Sequence, residues 1–177
     1  RSTVESELGA SIDDLFVEFD DEPIAAASIG QVHRAIIRDE RGDERAVAVK
    51  VQYPGVGEAI ASDLRNADML GVLLKQSFGG LDPSEMVDEI KTRLADEVDY
   101  ELEAANQTLF GRYYKGHPFI RIPEVVDAYS TKRILTSELA HGHRWAEMME
   151  GPQDMRDRAG EIIFRFVFRS LYRLGAF

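Results

Sequence analysis

The amino-acid sequence predicts an α+β fold in which an antiparallel sheet comes first and long helices follow. After a short helix candidate over 1–15, strand segments separated by turn residues extend to position 55, with the clearest candidates over 29–38 and 45–52. Helical apolar periodicity begins near Val56 and returns over 83–110 and 155–174. Strands and helices grouped in separate runs are typical of the α+β class.

Composition limits the classes of protein to which the chain can belong. At 177 residues and 44% hydrophobic content, it has the material for one domain or one and a half. The net charge of −11 argues against a nucleic-acid partner. The absence of cysteine excludes a disulfide scaffold and a thiolate metal site. The first residue is Arg1 and the last is Phe177, so we expect a fragment of a longer protein.

The sequence also bears on location. No apolar run approaches the ~20 residues that span a bilayer, and no apolar signal-peptide region follows Arg1. We therefore expect a cytoplasmic protein and leave membrane association open.

Turn residues divide the first 55 positions into a helix and strand candidates: 1–15, 16–19, 29–38 and 45–52. The last two flank a hairpin loop that contains Gly42, and Pro54 with Gly55 ends the sheet segment. Three later segments have helical periodicity: 56–78, 83–110 and 155–174. Short strand candidates at 119–122 and 133–139 precede the last helix.

Two features of the second half leave alternatives open. His141 and His143 lie in a loop without a third ligand at helical spacing, which favours a solvated turn over a metal site. The helix over 155–174 is basic and amphipathic. It is expected to pack under a second lobe, and a membrane-surface helix is the alternative.

One strand carries a lysine inside an apolar run. Ala46–Val51 is apolar except for Lys50, and a buried ammonium is costly unless an anion meets it. The small-residue loop Ala25–Ser28 allows a ligand to approach the backbone closely. Together these features indicate a phosphate site between main-chain amides and a fixed ammonium. The alternative is a close-packed turn beside a lysine that extends to water.

The helix over 83–110 carries acids that could meet this lysine. Treated as one continuous helix, it places Glu101 inside the apolar face, Glu97 at its edge and Glu103 on the opposite side. A carboxylate that faces a core needs a cation, and Lys50 is the candidate. The alternative is that Glu97 and Glu101 are boundary acids that reach water.

Three motifs and their order carry a family resemblance. The order of elements is that of a protein-kinase N-lobe and the start of its C-lobe: strand, small-residue loop, strand, lysine strand, long helix with glutamates, two strands, loop and amphipathic helix. An alanine-rich loop, Pro23–His33, replaces the kinase glycine-rich loop. With Val47–Gly55 and Glu97–Asn106, it makes the chain similar to the UbiB/ADCK (AarF-type) atypical kinase-like family, which is linked to isoprenoid quinone (ubiquinone-type) biosynthesis.

The resemblance implies a role for each matching residue. Lys50 would hold the α- and β-phosphates of a nucleotide and pair with Glu97. Glu103 would meet a lysine of an N-terminal extension that carries a Lys-x-Gly-Gln motif, and Ser137 would be the gatekeeper. The other nucleotide-contacting residues would be those of the loop and of the hinge: Ala25, Ala26, Ala27, Ser28 and Ile29, then Glu138, Leu139 and Ala140.

The resemblance also implies ATP or ADP with magnesium as the ligand. The catalytic loop and the magnesium ligands of the family would follow Phe177, so we expect the chain alone to be inactive and to hold no metal. Alanines restrict a backbone that glycines leave free, so we expect a changed nucleotide preference and poor phosphorylation of other proteins.

These expectations divide the chain and leave two functions open. Residues 1–140 would form the N-lobe with an inserted helix over 56–78, and 141–177 the hinge exit and an incomplete C-lobe. One function is the nucleotide-binding portion of an atypical kinase or ATPase that supports isoprenoid quinone biosynthesis. The other is a non-catalytic scaffold for quinone-biosynthesis proteins, a lipid or isoprenoid quinone precursor, or a membrane surface.

Overall fold

The computed structural model describes residues 1–64 and 84–175. Within them, five strands form one antiparallel sheet. The strands are β1 (Glu18–Phe19), β2 (Ala25–Ala27), β3 (Gly30–Arg38), β4 (Glu44–Gln52) and β5 (Ile134–Glu138). They lie in the order β1-β3-β4-β5, and β2 also pairs with β3. The sheet and the helices around it confirm the predicted α+β class.

The β3–β4 hairpin is the longest pairing of the sheet and follows from its loop chemistry. The loop turns at Gly42, whose φ of 85° is a left-handed conformation that favours glycine. The Asp39 carboxylate accepts hydrogen bonds from the backbone N–H groups of Arg41 and Asp43, at 2.9 and 3.0 Å. These contacts set the register that brings Val32 opposite Lys50.

The two faces of the sheet have different roles because side chains alternate along a strand. On β4, Val47, Val49 and Val51 are buried on one face, where they pack in a cluster with Ile134 of β5. Apolar side chains of the N-terminal segment complete this core: Val4, Ile12 and Phe16. The intervening residues of β4, including Lys50, therefore lie on the other face.

The N-terminal segment is two helices instead of the single predicted one. Helix α1 (Ser2–Leu8) ends at Gly9, and α2 (Ile12–Leu15) begins after Ser11, whose side chain accepts a hydrogen bond from the Asp14 N–H. A serine at the N-cap satisfies a free N–H group of the first helical turn, which favours a new helix start at this position.

The predicted helix over 83–110 is also wrong as a single element. The structure has α4 (Ser84–Glu97) and α5 (Tyr100–Tyr113), separated at residues 98 and 99. Asp99 caps the second helix, because its carboxylate accepts from the N–H groups of Glu101 and Leu102 at 3.0 and 3.3 Å. Helix α3 is described over residues 56–64, and the remainder of the predicted 56–78 helix lies outside the described residues.

Residues 119–122 form no strand, contrary to the prediction. Pro118 and Pro123 bound this segment and have no N–H to give to a sheet. The second strand prediction in this region corresponds to β5. After it come α6 (Trp145–Met149) and α7 (Gln153–Arg169), and a π-helical turn (Ser170–Leu174) continues α7.

The chain divides into two compact units. The first comprises Arg1–Asn106 and Val125–Leu139, and the second Gln107–Glu124 and Ala140–Phe177. In the second unit, Tyr114 is buried and its hydroxyl lies 2.8 Å from the hydroxyl of Ser170.

No helix in the described part of the chain has the length and apolar character needed to span a membrane.

Candidate functional site

Lys50 lies in the middle of the sheet face that is opposite the core. It pairs with Val32 of β3 on one side and with Leu135 of β5 on the other, and Ala25 of β2 lies beyond Val32 in the same row. Its side chain is 25% exposed. The predicted lysine therefore lies inside a sheet of mostly small or apolar neighbours and still reaches solvent.

Two groups from α5 hold the Lys50 ammonium. Nζ donates to both carboxylate oxygens of Glu103, at 2.8 and 2.7 Å. The same nitrogen lies 4.5 Å from the centre of the Tyr100 ring, a distance at which a cation is attracted to the π-face. Tyr100 is 1% exposed. Its burial and the negative charges of Glu103 and Glu97 raise the pKa of Tyr100 to about 12.

The predicted Lys50–Glu97 ion pair is corrected by this contact. The carboxylate on Lys50 is that of Glu103, and Glu97 and Glu101 are both exposed. The Glu97 pairing was implied by the family resemblance, whereas the helical phase of a continuous 83–110 helix favoured Glu101, and the break before Tyr100 changes that phase. Since Glu103 belongs to the first turn of a new helix, it faces the sheet that a continuous helix would have turned it away from.

A cleft of about 360 Å³ opens beside this ion pair. Its lining is charged, with two cations and three carboxylates, and comprises Lys50, Arg93, Asp96, Glu97, Leu102, Glu103 and Asn106. Glu97 therefore borders the same space as Lys50 without holding its ammonium. Within residues 1–64 and 84–175, no group of three or more histidine or acidic side chains is arranged to bind a metal ion.

The helix break is fixed to the sheet by hydrogen bonds. Gln52, the last residue of β4, is 3% exposed, and its Nε2 donates to the Val98 carbonyl at 2.7 Å. It also lies 3.4 Å from the Lys132 carbonyl, which accepts from the Tyr100 N–H at 3.0 Å. These bonds set where α5 begins and hence where Tyr100 and Glu103 meet Lys50.

Asp99→Ala is expected to lower the free energy of unfolding by about 1 kcal/mol, because the first N–H groups of α5 lose their acceptor. Asp99→Asn keeps an oxygen acceptor and loses only the ion pair with Lys132, at 3.4 Å. Its free energy of unfolding should therefore fall by only a few tenths of the loss expected for Asp99→Ala. Urea denaturation of both variants measures the difference. Equal losses would show that the cap does not stabilise this junction.

The predicted alanine loop is mostly strand. Ala25, Ala26 and Ala27 form β2, which pairs with residues 30–32, and only Ser28 and Ile29 form the turn. Poly-alanine has low strand propensity, so its pairing here is a tertiary effect of the neighbouring strand. The Ile29 carbonyl accepts from the Tyr53 N–H at 2.9 Å, which ties the turn to the end of β4.

The hinge residues continue from β5. Ser137 pairs with Ala48 and Glu138 with Val47, so Ser137 shares the sheet face of Lys50. The Leu139 N–H donates to the Ala46 carbonyl at 3.2 Å, so this backbone donor of the predicted hinge is already used by the sheet. Ala140 is the first residue of the second unit after the sheet.

Sequence reasoning missed three residues of this site. Gln52 gives no motif signal, because its partners are backbone carbonyls distant in sequence. Tyr100 lies within a motif that was noted for its acids alone. Asp99 had a recognisable signal, since an aspartate followed by acidic residues in the next turn is typical of a helix start.

A lysine in an inner strand of an antiparallel sheet, paired with a glutamate of a later helix, is the arrangement found in kinase-like proteins. The whole chain, residues 1–177, matches the family described as ABC1 atypical kinase-like domain. The chain belongs to this family, which confirms the resemblance seen in its motifs.

Relatives and a solved structure agree with this assignment. The mitochondrial atypical kinase COQ8B of Rattus norvegicus is 40% identical over 172 residues, which cover 96% of this chain and 31% of the relative. The probable protein kinase UbiB of Xylella fastidiosa (strain M23) is 37% identical over 145 residues, 80% of this chain and 26% of the relative. The chain thus spans about a third or less of these relatives.

One similar solved structure is a complex of Rv3197 with erythromycin from Mycobacterium tuberculosis. It has a TM-score of 0.86 and 39% sequence identity, and the match covers 98% of this chain and 43% of the other. The two proteins therefore share one fold over nearly the whole of this chain.

Proposed function

We propose that this chain is the nucleotide-binding portion of an atypical kinase or ATPase that supports isoprenoid quinone biosynthesis. The observation that carries the proposal is the Lys50 ammonium, which is held at a cleft by a bidentate carboxylate and remains partly exposed. An ammonium prepared in this way matches the phosphate oxygens of a nucleotide. The family membership and the names of the relatives support the same reading.

The sheet face around Lys50 supports a nucleotide in particular. Small side chains lie on this face at Ala25, Ala48 and Ser137, and they leave room for a planar base beside the strand. We assign the phosphates to Lys50 and to the hairpin turn at Ser28 and Ile29. The base would meet hinge backbone groups other than the Leu139 N–H, which is already bonded to the Ala46 carbonyl.

Glu103 has a regulatory position in this proposal. Its carboxylate and a phosphate seek the same N–H donors of Lys50, so nucleotide binding has to displace or share that contact. The Glu103 side chain is 44% exposed, so a second cation can reach it. A lysine of the N-terminal extension remains the proposed second partner.

Catalysis is assigned to the longer protein and not to this stretch alone. Phosphoryl transfer needs a magnesium ion, its carboxylate ligands and a base that orients the nucleophile. The 177 residues contain no Asp-Phe-Gly segment, and their described part offers no metal cluster. We therefore propose that residues 1–177 bind MgATP or MgADP weakly or only with the rest of the protein, and transfer no phosphate by themselves.

Lys50→Met in the full-length protein is expected to weaken MgATP and MgADP binding about 10- to 100-fold, the range for a charged hydrogen bond to phosphate. Isothermal titration calorimetry measures both constants. Lys132→Met is the matched control, since Lys132 also pairs with an acid at the start of α5 but does not line the cleft, and it should stay within about twofold. Unchanged affinity in Lys50→Met would refute the phosphate assignment.

A non-catalytic scaffold is the second candidate function. Exposed aromatic residues on α7, among them Phe164 and Phe168, alternate with Arg165 and Arg169, a pattern that suits a lipid surface or a protein partner. Co-sedimentation of the full-length protein with liposomes, together with no nucleotide hydrolysis, would favour it. Measurable nucleotide turnover that depends on Lys50 would exclude it.

A further inference from the structure

Among residues 1–64 and 84–175, Glu103 and Tyr100 contact the Lys50 ammonium and differ in chemistry. Glu103 offers a full negative charge and takes two of the ammonium's hydrogen-bond directions, at 2.8 and 2.7 Å. Tyr100 offers a neutral π-face 4.5 Å away and takes no hydrogen bond. An incoming phosphate therefore competes with Glu103 and does not compete with the ring.

Tyr100 is held firmly enough to fix a flexible neighbour. It is the first residue of α5, its N–H donates to the Lys132 carbonyl at 3.0 Å, and its side chain is 1% exposed. Lys50, in contrast, reaches the cleft on a stem of four methylene groups. A rigid ring beside a flexible ammonium lowers the number of positions that the ammonium can take once its carboxylate partner is gone.

The Tyr100 hydroxyl indicates that the ring is what matters. In the described part of the structure, this hydroxyl is buried and has no hydrogen-bond partner. A buried hydroxyl without a partner costs free energy, so it is not what stabilises the tyrosine at this position. The feature of Tyr100 that does make a polar contact is its π-face, against Lys50.

We infer that Tyr100 is a positioning residue for nucleotide binding, and that its ring keeps the Lys50 ammonium at the cleft when a phosphate replaces Glu103. The inference rests on the proposed function. In the free protein Glu103 holds the lysine with or without the ring. In the nucleotide complex the ring keeps its contact with the ammonium, so its removal weakens the complex more than the free state.

The test measures MgADP affinity by calorimetry in the full-length protein. Tyr100→Leu is expected to weaken binding about 3- to 30-fold, the range that cation–π contacts span. Tyr100→Phe keeps the ring and should bind within about twofold of the unmodified protein. Phe16→Leu is the matched control, because it removes a buried ring from the core of the same unit, on the face away from Lys50, and should also stay within about twofold.

A double-mutant cycle separates positioning from general destabilisation. If Tyr100 acts through Lys50, the Tyr100→Leu and Lys50→Met double variant binds no more weakly than Lys50→Met alone. If Tyr100→Leu instead weakens binding by the same factor in the Lys50→Met variant as in the unmodified protein, the ring acts through the fold. That result would overturn the inference.

Ring fluorination supplies a measurement that does not depend on a ring-deleted variant folding. Replacing Tyr100 by phenylalanine and by its mono- and trifluorinated analogues keeps the size of the ring and withdraws electrons from its face. Affinity for MgADP should fall stepwise with fluorine content, and a flat series would overturn the inference. If Lys50→Met binds normally the proposed function fails as well, whereas a weakened Lys50→Met with a flat series refutes the role of Tyr100 alone.

Discussion

Gly30→Ala is expected to lower the free energy of unfolding by about 3 kcal/mol, at the upper end of what overpacking usually costs. A Cβ atom at Gly30 would overlap the Val51 carbonyl oxygen, and it would lie 2.9 Å from the Val51 carbonyl carbon and 3.1 Å from the Gln52 Cα. All three are backbone atoms of β4, so no side chain can move aside. The strands have to separate at the end of β3 that carries the alanine hairpin.

Urea denaturation of Gly30→Ala and of Gly57→Ala measures this effect against a matched substitution. Gly57 lies in α3, and a Cβ atom added there would meet no atom of the described residues within 4 Å apart from its own helix backbone and chain neighbours. Alanine should therefore be neutral or stabilising by up to about 1 kcal/mol. A loss below about 1 kcal/mol for Gly30→Ala would mean that the hairpin can open without cost.

Gln52→Glu is expected to destabilise the protein by about 3–5 kcal/mol at neutral pH, the cost of a buried charge without a partner. The Gln52 amide donates to the Val98 carbonyl at 2.7 Å and lies 3.4 Å from the Lys132 carbonyl. A carboxylate has no proton to donate, and it would place a negative charge against two carbonyl oxygens. The start of α5 would then lose its tie to β4.

The pH dependence of this variant has a definite sign. Burial raises the pKa of the introduced carboxyl in the folded state above its unfolded value of about 4.3. The folded state then binds more protons, so stability relative to the unmodified protein falls as the pH rises above that value and recovers in acid. Denaturation curves at several pH values measure the trend.

Gln52→Met is the control for the lost hydrogen bonds alone. It removes the donor without adding a charge, so we expect a loss of about 1–3 kcal/mol that does not change with pH. If the glutamate and methionine variants lose the same unfolding free energy at every pH, an introduced carboxylate reaches water at this position. That result would contradict the 3% exposure of Gln52.

The β3–β4 hairpin and the family could be predicted from sequence because their signals are local. The alternation along Val47–Gln52 and the turn at Gly42 lie within one hairpin, so neighbouring residues fix both the strands and their register. The three motifs that carried the family resemblance are also continuous segments. Lys50 could be selected for the same reason, since an ammonium inside an apolar strand is unusual whatever surrounds it.

The partner of that lysine could not be predicted in the same way. The choice among Glu97, Glu101 and Glu103 depends on helical phase, and phase accumulates over every residue between the helix start and the acid. A break of two residues before Tyr100 was enough to bring Glu103 to the lysine. The sequence shows that Asp99 can cap a helix. It does not show whether this cap stabilises a break more than the apolar stripe stabilises one continuous helix.

The α+β class, the β3–β4 hairpin, the resemblance to the kinase-like family and the lysine of the candidate site could all be read from residues close together in the chain. The Glu103 and Tyr100 contacts to this lysine, the pairing of the alanines as a strand and the Gln52 bond to the helix start became visible only in the folded protein. The difference lies in the range of the interactions. Strand alternation and turn chemistry act between neighbours in the chain, whereas these contacts join groups that are close only after the sheet and the helix have packed.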